Sequence, residues 1–156
     1  VQISQSPVQT EGDMGTETMG RVLVTATVEN LDDLFAARKG LLPEAQVRRV
    51  EVTDALVDTG ATGLLLPRRL VALLGLEPLR TRTARTIAGP APLQIYRGVR
   101  LTVQGRDCIS DVAEIADEFS VVIGQVPLEL MDWVVDPRGQ RLIGNPEHGG
   151  EHMIEA

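Results

Sequence analysis

Cysteine occurs once in the 156 residues, at Cys108, which excludes an intrachain disulfide and fits a reducing compartment. Histidine occurs twice, at His148 and His152, both near the C-terminus. No histidine therefore lies near Cys108 or near Ser110-Asp111 in sequence. A nucleophile–histidine pair would need the tail to fold back, and Cys108 reads as a small strand residue. Aromatic residues make up only 3% of the chain, so Val, Leu and Ile must supply most of the core. No apolar run approaches the roughly 18 residues of a membrane span. The first residues lack the basic and apolar regions of a signal peptide, so the expected location is cytoplasmic. The formal net charge of −7 argues against general nucleic-acid binding.

What remains is ordinary for a globular protein, with 43% hydrophobic and 24% charged residues. The length suits one domain with a sizeable core. Residues 1–18 are polar and aperiodic and are expected to be flexible. Residues 19–145 carry the periodic segments of the domain, and residues 146–156 form a tail. The basic residues are unevenly spread. Arg80, Arg82, Arg85, Arg97, Arg100 and Arg106 lie in a stretch from Leu79 to Arg106 that holds no acid. Such a stretch is either the solvated faces of two strands or a surface that meets an acidic partner or substrate.

Along the chain, Arg21–Val28 is β-branched and partly alternating, the pattern of a strand. Asn30 is placed to cap a helix with Asp32 and Asp33 in its first turn, Arg38 and Lys39 in its last, and Gly40 beyond. Leu31, Leu34 and Phe35 share one face of that helix. Pro43–Val47 suggests a short helical turn, and Arg49–Val57 a strand. Pro67 is expected to open a second helix and Gly75 to end it, with Leu70, Leu73 and Leu74 on its buried face. Leu79–Ile87 and Leu93–Val103 are strand-like, and Ala88–Pro92 between them reads as a hairpin tip. Cys108–Ile115 is a further alternating strand, and Phe119–Ile123 runs apolar into Gly124. A short helix is expected over Pro127–Met131. Trp133–Val135 and Gln140–Ile143 form a hairpin around Asp136-Pro137-Arg138-Gly139. The class is mostly β with two or three short helices, without the regular alternation of a parallel sheet.

One segment carries chemistry. The apolar strand Ala55-Leu56-Val57 drives into Asp58-Thr59-Gly60-Ala61, and Leu64-Leu65-Leu66 follows. Asp, Thr and Gly are turn residues, so the triplet alone can be a plain turn. An Asp at the end of a doubly covered strand, however, is costly to bury unless it is hydrogen-bonded or shares a proton. Some sixty residues later a second apolar run, Val121-Val122-Ile123, ends in Gly124 before a helix.

This ordered set of triplet, hairpin and apolar-Gly-helix resembles the retropepsin-like aspartic proteases, of bacterial or cellular rather than viral type. The resemblance covers about residues 20–145. It implies an acid-protease fold, a closed, barrel-like β half, in which each subunit of a homodimer gives one aspartate. Asp58 matches the catalytic aspartate. Thr59, Gly60 and Ala61 match the residues that support its loop, with the Thr59 hydroxyl reaching the partner's loop. Ile87, Ala88 and Gly89 would sit near the tip of a flap closing over a bound peptide. Val122, Ile123 and Gly124 would form the strand that seats the loop. The substrate would be a peptide or protein, and no cofactor or metal is implied.

The chain also departs from the viral pattern. Thr62 and Gly63 follow Ala61, and Gln125 follows Gly124, so the acid and the arginine that pair in viral enzymes are both absent. Loss of both leaves no unpaired charge and implies a dimer held by other contacts. Pro90 and Pro92 would stiffen the flap tip. A second reading keeps the fold without turnover, as an inactive dimerisation or peptide-binding module. In the tail, Glu147-His148-Gly149-Gly150-Glu151-His152 has two histidines at helical spacing for a metal, but the paired glycines argue against a helix there. That segment reads as a solvated tail or a subunit contact. Tyr96 reads as a strand packing residue.

Overall fold

The computed structural model describes residues 21–154, and strand is the dominant element. Strand β1 (Val22–Asn30) buries Val22, Val24, Ala26 and Val28 and exposes Leu23 and Thr25, the alternation its sequence carries. β2 spans Arg49–Val57, β3 Leu64–Pro67, β4 Pro78–Thr86 and β5 Gly89–Val103. β6 spans Arg106–Ile115, β7 Val122–Ile123, β8 Trp133–Asp136 and β9 Arg141–Gly144. Seven of these form one sheet in the order β1-β2-β7-β3-β6-β5-β4, and β1 also pairs with β5. That extra pairing closes the sheet into a ring and leaves β4 outside it. β8 and β9 form a separate hairpin.

The registers sort the side chains into two rows. Val57 pairs with Ile123, Ile123 with Leu64, Leu64 with Val112, and Val112 with Tyr96. The first four belong to the main core inside the ring and half-buried Tyr96 packs against it, with Leu66, Val99, Leu101, Leu128 and Met131 around them. Successive strand residues face opposite ways, so the neighbouring row, running through Leu56, Val122, Leu65, Ala113 and Ile95, faces outward. A second, smaller apolar cluster of Leu65, Ala113, Ile115 and Val122 gathers there, with Ala61, Leu93 and Ile95 packed on it.

Helix α1 (Leu31–Arg38) is capped by Asn30, whose side chain accepts from the Asp33 amide at 2.9 Å. Its apolar residues do not hold it: Leu31 and Leu34 are half-buried, Phe35 is exposed, and the buried residue is Asp33. Arg48 donates from Nε to Asp33 Oδ2 at 2.8 Å and from Nη2 to Oδ1 at 3.0 Å. The Asn30 side chain also donates from Nδ2 to the Leu74 carbonyl at 2.8 Å. Asp33 is held below the usual carboxylate range, chiefly by the Arg48 hydrogen bonds. Residues Glu44–Gln46 make a single 3₁₀ turn.

Helix α2 spans Arg68–Leu74, with Pro67 as its N-cap and Gly75 in the left-handed region at φ 62°. That left-handed conformation favours glycine, and a Cβ there would also displace the Arg48 guanidinium. Leu70, Val71 and Leu74 are buried, whereas Leu73, expected on the inner face, is 64% exposed. The seven-residue helix rests on β3 through a narrow stripe, and Val71 rather than Leu73 completes it. Helix α3 spans Gln125–Leu130 and starts two residues earlier than the sequence suggests. Pro127 lies in its first turn, where a missing N–H costs no helical bond.

Three further expectations are corrected. The β4–β5 turn consists of Ile87 and Ala88 alone, and Thr86 pairs with Gly89. Pro90 and Pro92 are strand residues opposite Arg85 and Thr83 rather than part of the tip. Proline is tolerated there because β5 has β4 on only one side in this stretch, leaving an open edge. The loop-seating strand expected over Val122–Gly124 ends at Ile123, because Gly124 is the N-cap of α3, and Phe119 ahead of it closes a turn onto the Ala116 carbonyl at 3.2 Å.

The tail folds back onto the domain, while Pro146, Glu147 and residues 149–154 stay exposed to solvent. Asn145 caps a 3₁₀ turn at Pro146–His148. Buried Asp132, at φ 58°, gathers His148 Nδ1 at 2.7 Å, Asn145 Nδ2 at 3.2 Å and the Met153 amide at 3.1 Å. These bonds, the His148 contact first, hold the Asp132 carboxyl low. Arg106 stacks 4.0 Å over the Trp133 ring and donates to the Gly150 carbonyl at 2.6 Å. Residues 1–18, expected to be flexible, lie outside the described residues. Among the described residues no helix is long and apolar enough to cross a membrane.

Candidate active site

Asp58 is the first residue beyond β2, and its position is set by backbone alone. The Asp58 amide donates to the Ile123 carbonyl at 3.0 Å, and the Leu56 amide to the Val121 carbonyl at 2.8 Å. Residues 58–63 then turn, with the Ala61 amide donating to the Asp58 carbonyl at 3.0 Å. The first amides of α3 close the loop from the other side. Gly124 N donates to Gly63 O at 2.8 Å, Gln125 N to Ala61 O at 2.8 Å, and Val126 N to Thr62 O at 2.9 Å. Helix N-termini leave such amides without intrahelical partners, and here the loop carbonyls satisfy them. Gly124 is required by closeness: a Cβ there would lie 2.5 Å from Gly63 O and 2.6 Å from Ala61 O.

The Asp58 carboxylate is half-buried, and its Oδ1 accepts from the Gly60 amide at 2.9 Å. A Cβ at position 60 would sit 3.2 Å from that oxygen, so glycine leaves the carboxylate uncrowded. Oδ2 has no protein donor among the described residues. Thr59 and Thr62 are exposed beside it. Asp58 follows Leu56 by two residues and so shares the outward face of the second apolar cluster. Ala61 packs on that cluster directly.

The β4–β5 hairpin projects from the same sheet. Ile87 at its turn is 82% exposed, and Gly89 adopts φ 111°. The pairing of β5 with β6 stops at Ile95 and Ala113. Beyond that point a cavity of about 430 Å³ opens, lined by Leu93, Ile115, Phe119, Arg68 and Glu114 among others. Glu114 accepts from the Tyr96 hydroxyl at 2.5 Å and from Arg68 Nε at 2.7 Å. The Tyr96 hydrogen bond first, then Arg68, hold its carboxyl below the usual range. Tyr96 is thus both core packing and an anchor for an acid near the cavity. The sequence signals neither Glu114 nor Arg68, because 46 residues separate them.

The other proposed residues disperse. His148 binds Asp132, while His152 Nε2 lies 3.1 Å from the Leu130 carbonyl, so the two histidines point to different partners. Among the described residues no group of three or more His, Cys, Asp or Glu is arranged to hold a metal. Burial pushes the Cys108 thiol up to about 11, with Asp107 adding to it, which leaves it unreactive at neutral pH. Gln125, at the position of the viral arginine, donates to Glu129 Oε2 at 3.0 Å within its own helix.

A family model described as aspartyl protease matches residues 44–142, well over half of the chain. The matched stretch runs from just before β2 into β9 and contains Asp58, the hairpin, β7 and α3. No curated protein matches the chain.

Proposed function

The chain belongs to the aspartyl protease family, and on that premise we propose that it is a retropepsin-like endopeptidase acting as a homodimer in the cytoplasm. Two Asp58 carboxylates, one from each subunit, form its active site. The observation that carries this reading is the state of Asp58: a half-buried carboxylate on a backbone-locked loop, with one oxygen held by Gly60 and the other open. One such group cannot act as acid and base at once. Two carboxylates brought within a few ångströms share a proton and titrate as a pair, because both cannot ionise cheaply.

The ionised member takes a proton from a water held between the pair, and the protonated member gives one to the scissile carbonyl oxygen. The resulting oxygen nucleophile attacks the carbonyl carbon to give a gem-diol. Its collapse breaks the C–N bond as the now ionised carboxylate takes a hydroxyl proton and the now protonated one gives its proton to the leaving nitrogen, with no covalent enzyme intermediate. In this reading Thr59, which is exposed, meets the partner's loop. The β4–β5 hairpin, with Ile87, Ala88 and Gly89 at its tip, would cover an extended peptide and exclude bulk water. Main-chain hydrogen bonds to that peptide then supply much of the affinity.

Peptide-library cleavage by the unmodified protein and by Asp58→Asn tests the reading. Equal cleavage by both would end it. Sedimentation that finds only monomer at working concentration would also end it, because the second carboxylate would be missing. Binding of extended peptides without cleavage at any pH between about 3 and 8 would favour the inactive binding module instead.

A further inference from the structure

The outward row of the sheet does not end at β5. Leu56 pairs with Val122, Val122 with Leu65, Leu65 with Ala113, Ala113 with Ile95, and Ile95 with Arg80. Directly paired residues share a face, so one continuous row leads from the strand that carries Asp58 to an arginine on β4. Arg82 pairs with Leu93 and stands on the same face, two residues along. The floor is therefore apolar beside the aspartate and cationic at its far end.

Of the other arginines in the acid-free stretch, Arg85 is exposed but alternates to the opposite face of β4, and the remaining three are occupied within the fold. Arg97 pairs with Asp32 at 3.0 Å, Arg100 with Glu29 at 2.8 Å, and Arg106 fastens the tail. Arg80 reaches Asp111 only at 3.8 Å, with both side chains about half exposed. Arg82 is exposed and has no acidic partner among the described residues. Charge on an outer strand also guards its open edge against pairing. Either sign would serve that purpose, however, and in a chain of net charge −7 the acids are the commoner choice.

We infer that Arg80 and Arg82 form a subsite that selects an acidic side chain in a peptide whose apolar residue lies over Leu65, Val122 and Ala113. This rests on the proposed endopeptidase reading and names its substrate class. From β3 to β4 there are three strand spacings of about 4.8 Å, or about 14 Å. An extended peptide advances about 3.3 Å per residue, so the acidic residue stands about four positions from the apolar one.

The test does not depend on turnover. A randomised decapeptide library is selected on immobilised Asp58→Asn protein, and the retained peptides are sequenced. Asp or Glu should be enriched about three to five positions from a Leu, Ile or Val. The Arg80→Glu/Arg82→Glu double variant on the same background should exchange that enrichment for Lys or Arg. A matched Glu/Gln peptide pair should bind the Asp58→Asn protein with about a fivefold difference, shrinking as salt rises. No acidic enrichment, or enrichment untouched by the charge reversal, overturns the inference whether or not the unmodified protein cleaves peptides. Cleavage without acidic preference would overturn it while leaving the endopeptidase reading intact.

Discussion

Two regions of this molecule are fixed by opposite means. The Asp58 loop is held by main-chain hydrogen bonds from β7 and the first turn of α3, with a single side-chain bond, the one made by Asp58 itself. The seam around α1 is held by side chains: Asn30 to Leu74, Arg48 to Asp33, and Arg49 and Arg100 to buried Glu29. A backbone-held loop demands little of its side chains beyond glycine where chains touch. That explains how Thr62, Gly63 and Gln125 can stand where viral relatives keep charges. The side-chain seam has no such freedom, because removing one partner strands the other.

The largest effect expected at the loop is chemical. Asp58→Asn should lower peptide cleavage by about 10²–10⁴-fold, while denaturant unfolding shifts by less than about 0.5 kcal/mol. An equal loss of stability would show that the carboxylate, not the backbone, holds the loop. Next comes Gly124→Ala, which drives a Cβ against two carbonyl oxygens and should cost about 1–3 kcal/mol in urea unfolding, with activity lost alongside. A neutral result would mean that α3 can slide away from the loop.

At the seam, Asp33→Ala removes three Arg48 bonds, two from the guanidinium and one from the backbone amide, and should cost about 1–2 kcal/mol, discounted because Arg48 is half exposed. Catalytic turnover per folded molecule should not change. The same seam sets an acid limit. The Asp33 carboxyl lies lower in the folded chain than in the unfolded one, so its contribution is complete above the ordinary carboxylate range. It is lost as pH falls through the folded value. Asp132 and Glu114 act with the same sign. Thermal unfolding followed downward in pH should show this loss, and Asp33→Asn should flatten part of it. The smallest effect belongs to Gln125→Ala, which should shift stability by less than about 0.5 kcal/mol, because its backbone and not its side chain meets the loop.

Much of the local architecture was legible in the residues. β2 ends at Val57 as its pattern implies, Asn30 caps α1, and Gly75 closes α2. Those signals are local: a cap, a turn residue or an alternating run acts within a few positions. Misreadings arose where packing overrode periodicity. Leu73 follows a helical stripe yet faces solvent, and Phe35, on the face whose Leu31 and Leu34 are half-buried, is itself 42% exposed. The arginine-rich stretch left two readings open, solvated strand faces or a surface for an acidic partner, and the fold divides it: Arg97 finds Asp32 across 65 residues and Arg100 finds Glu29 across 71.

By itself, then, the sequence determined that an aspartate ends an apolar strand at position 58 and that a glycine follows another at 124. It also determined that the segments between are mostly β. Only the tertiary structure decided that β7 lies beside β2, so that Gly124 seals the loop. It also decided that β1 closes on β5, that the tail wraps Asp132, and that one outward row runs from Leu56 to Arg80. The reason is physical. Strand register and long-range ion pairs depend on which elements meet in space, and no spacing along the chain encodes that meeting locally.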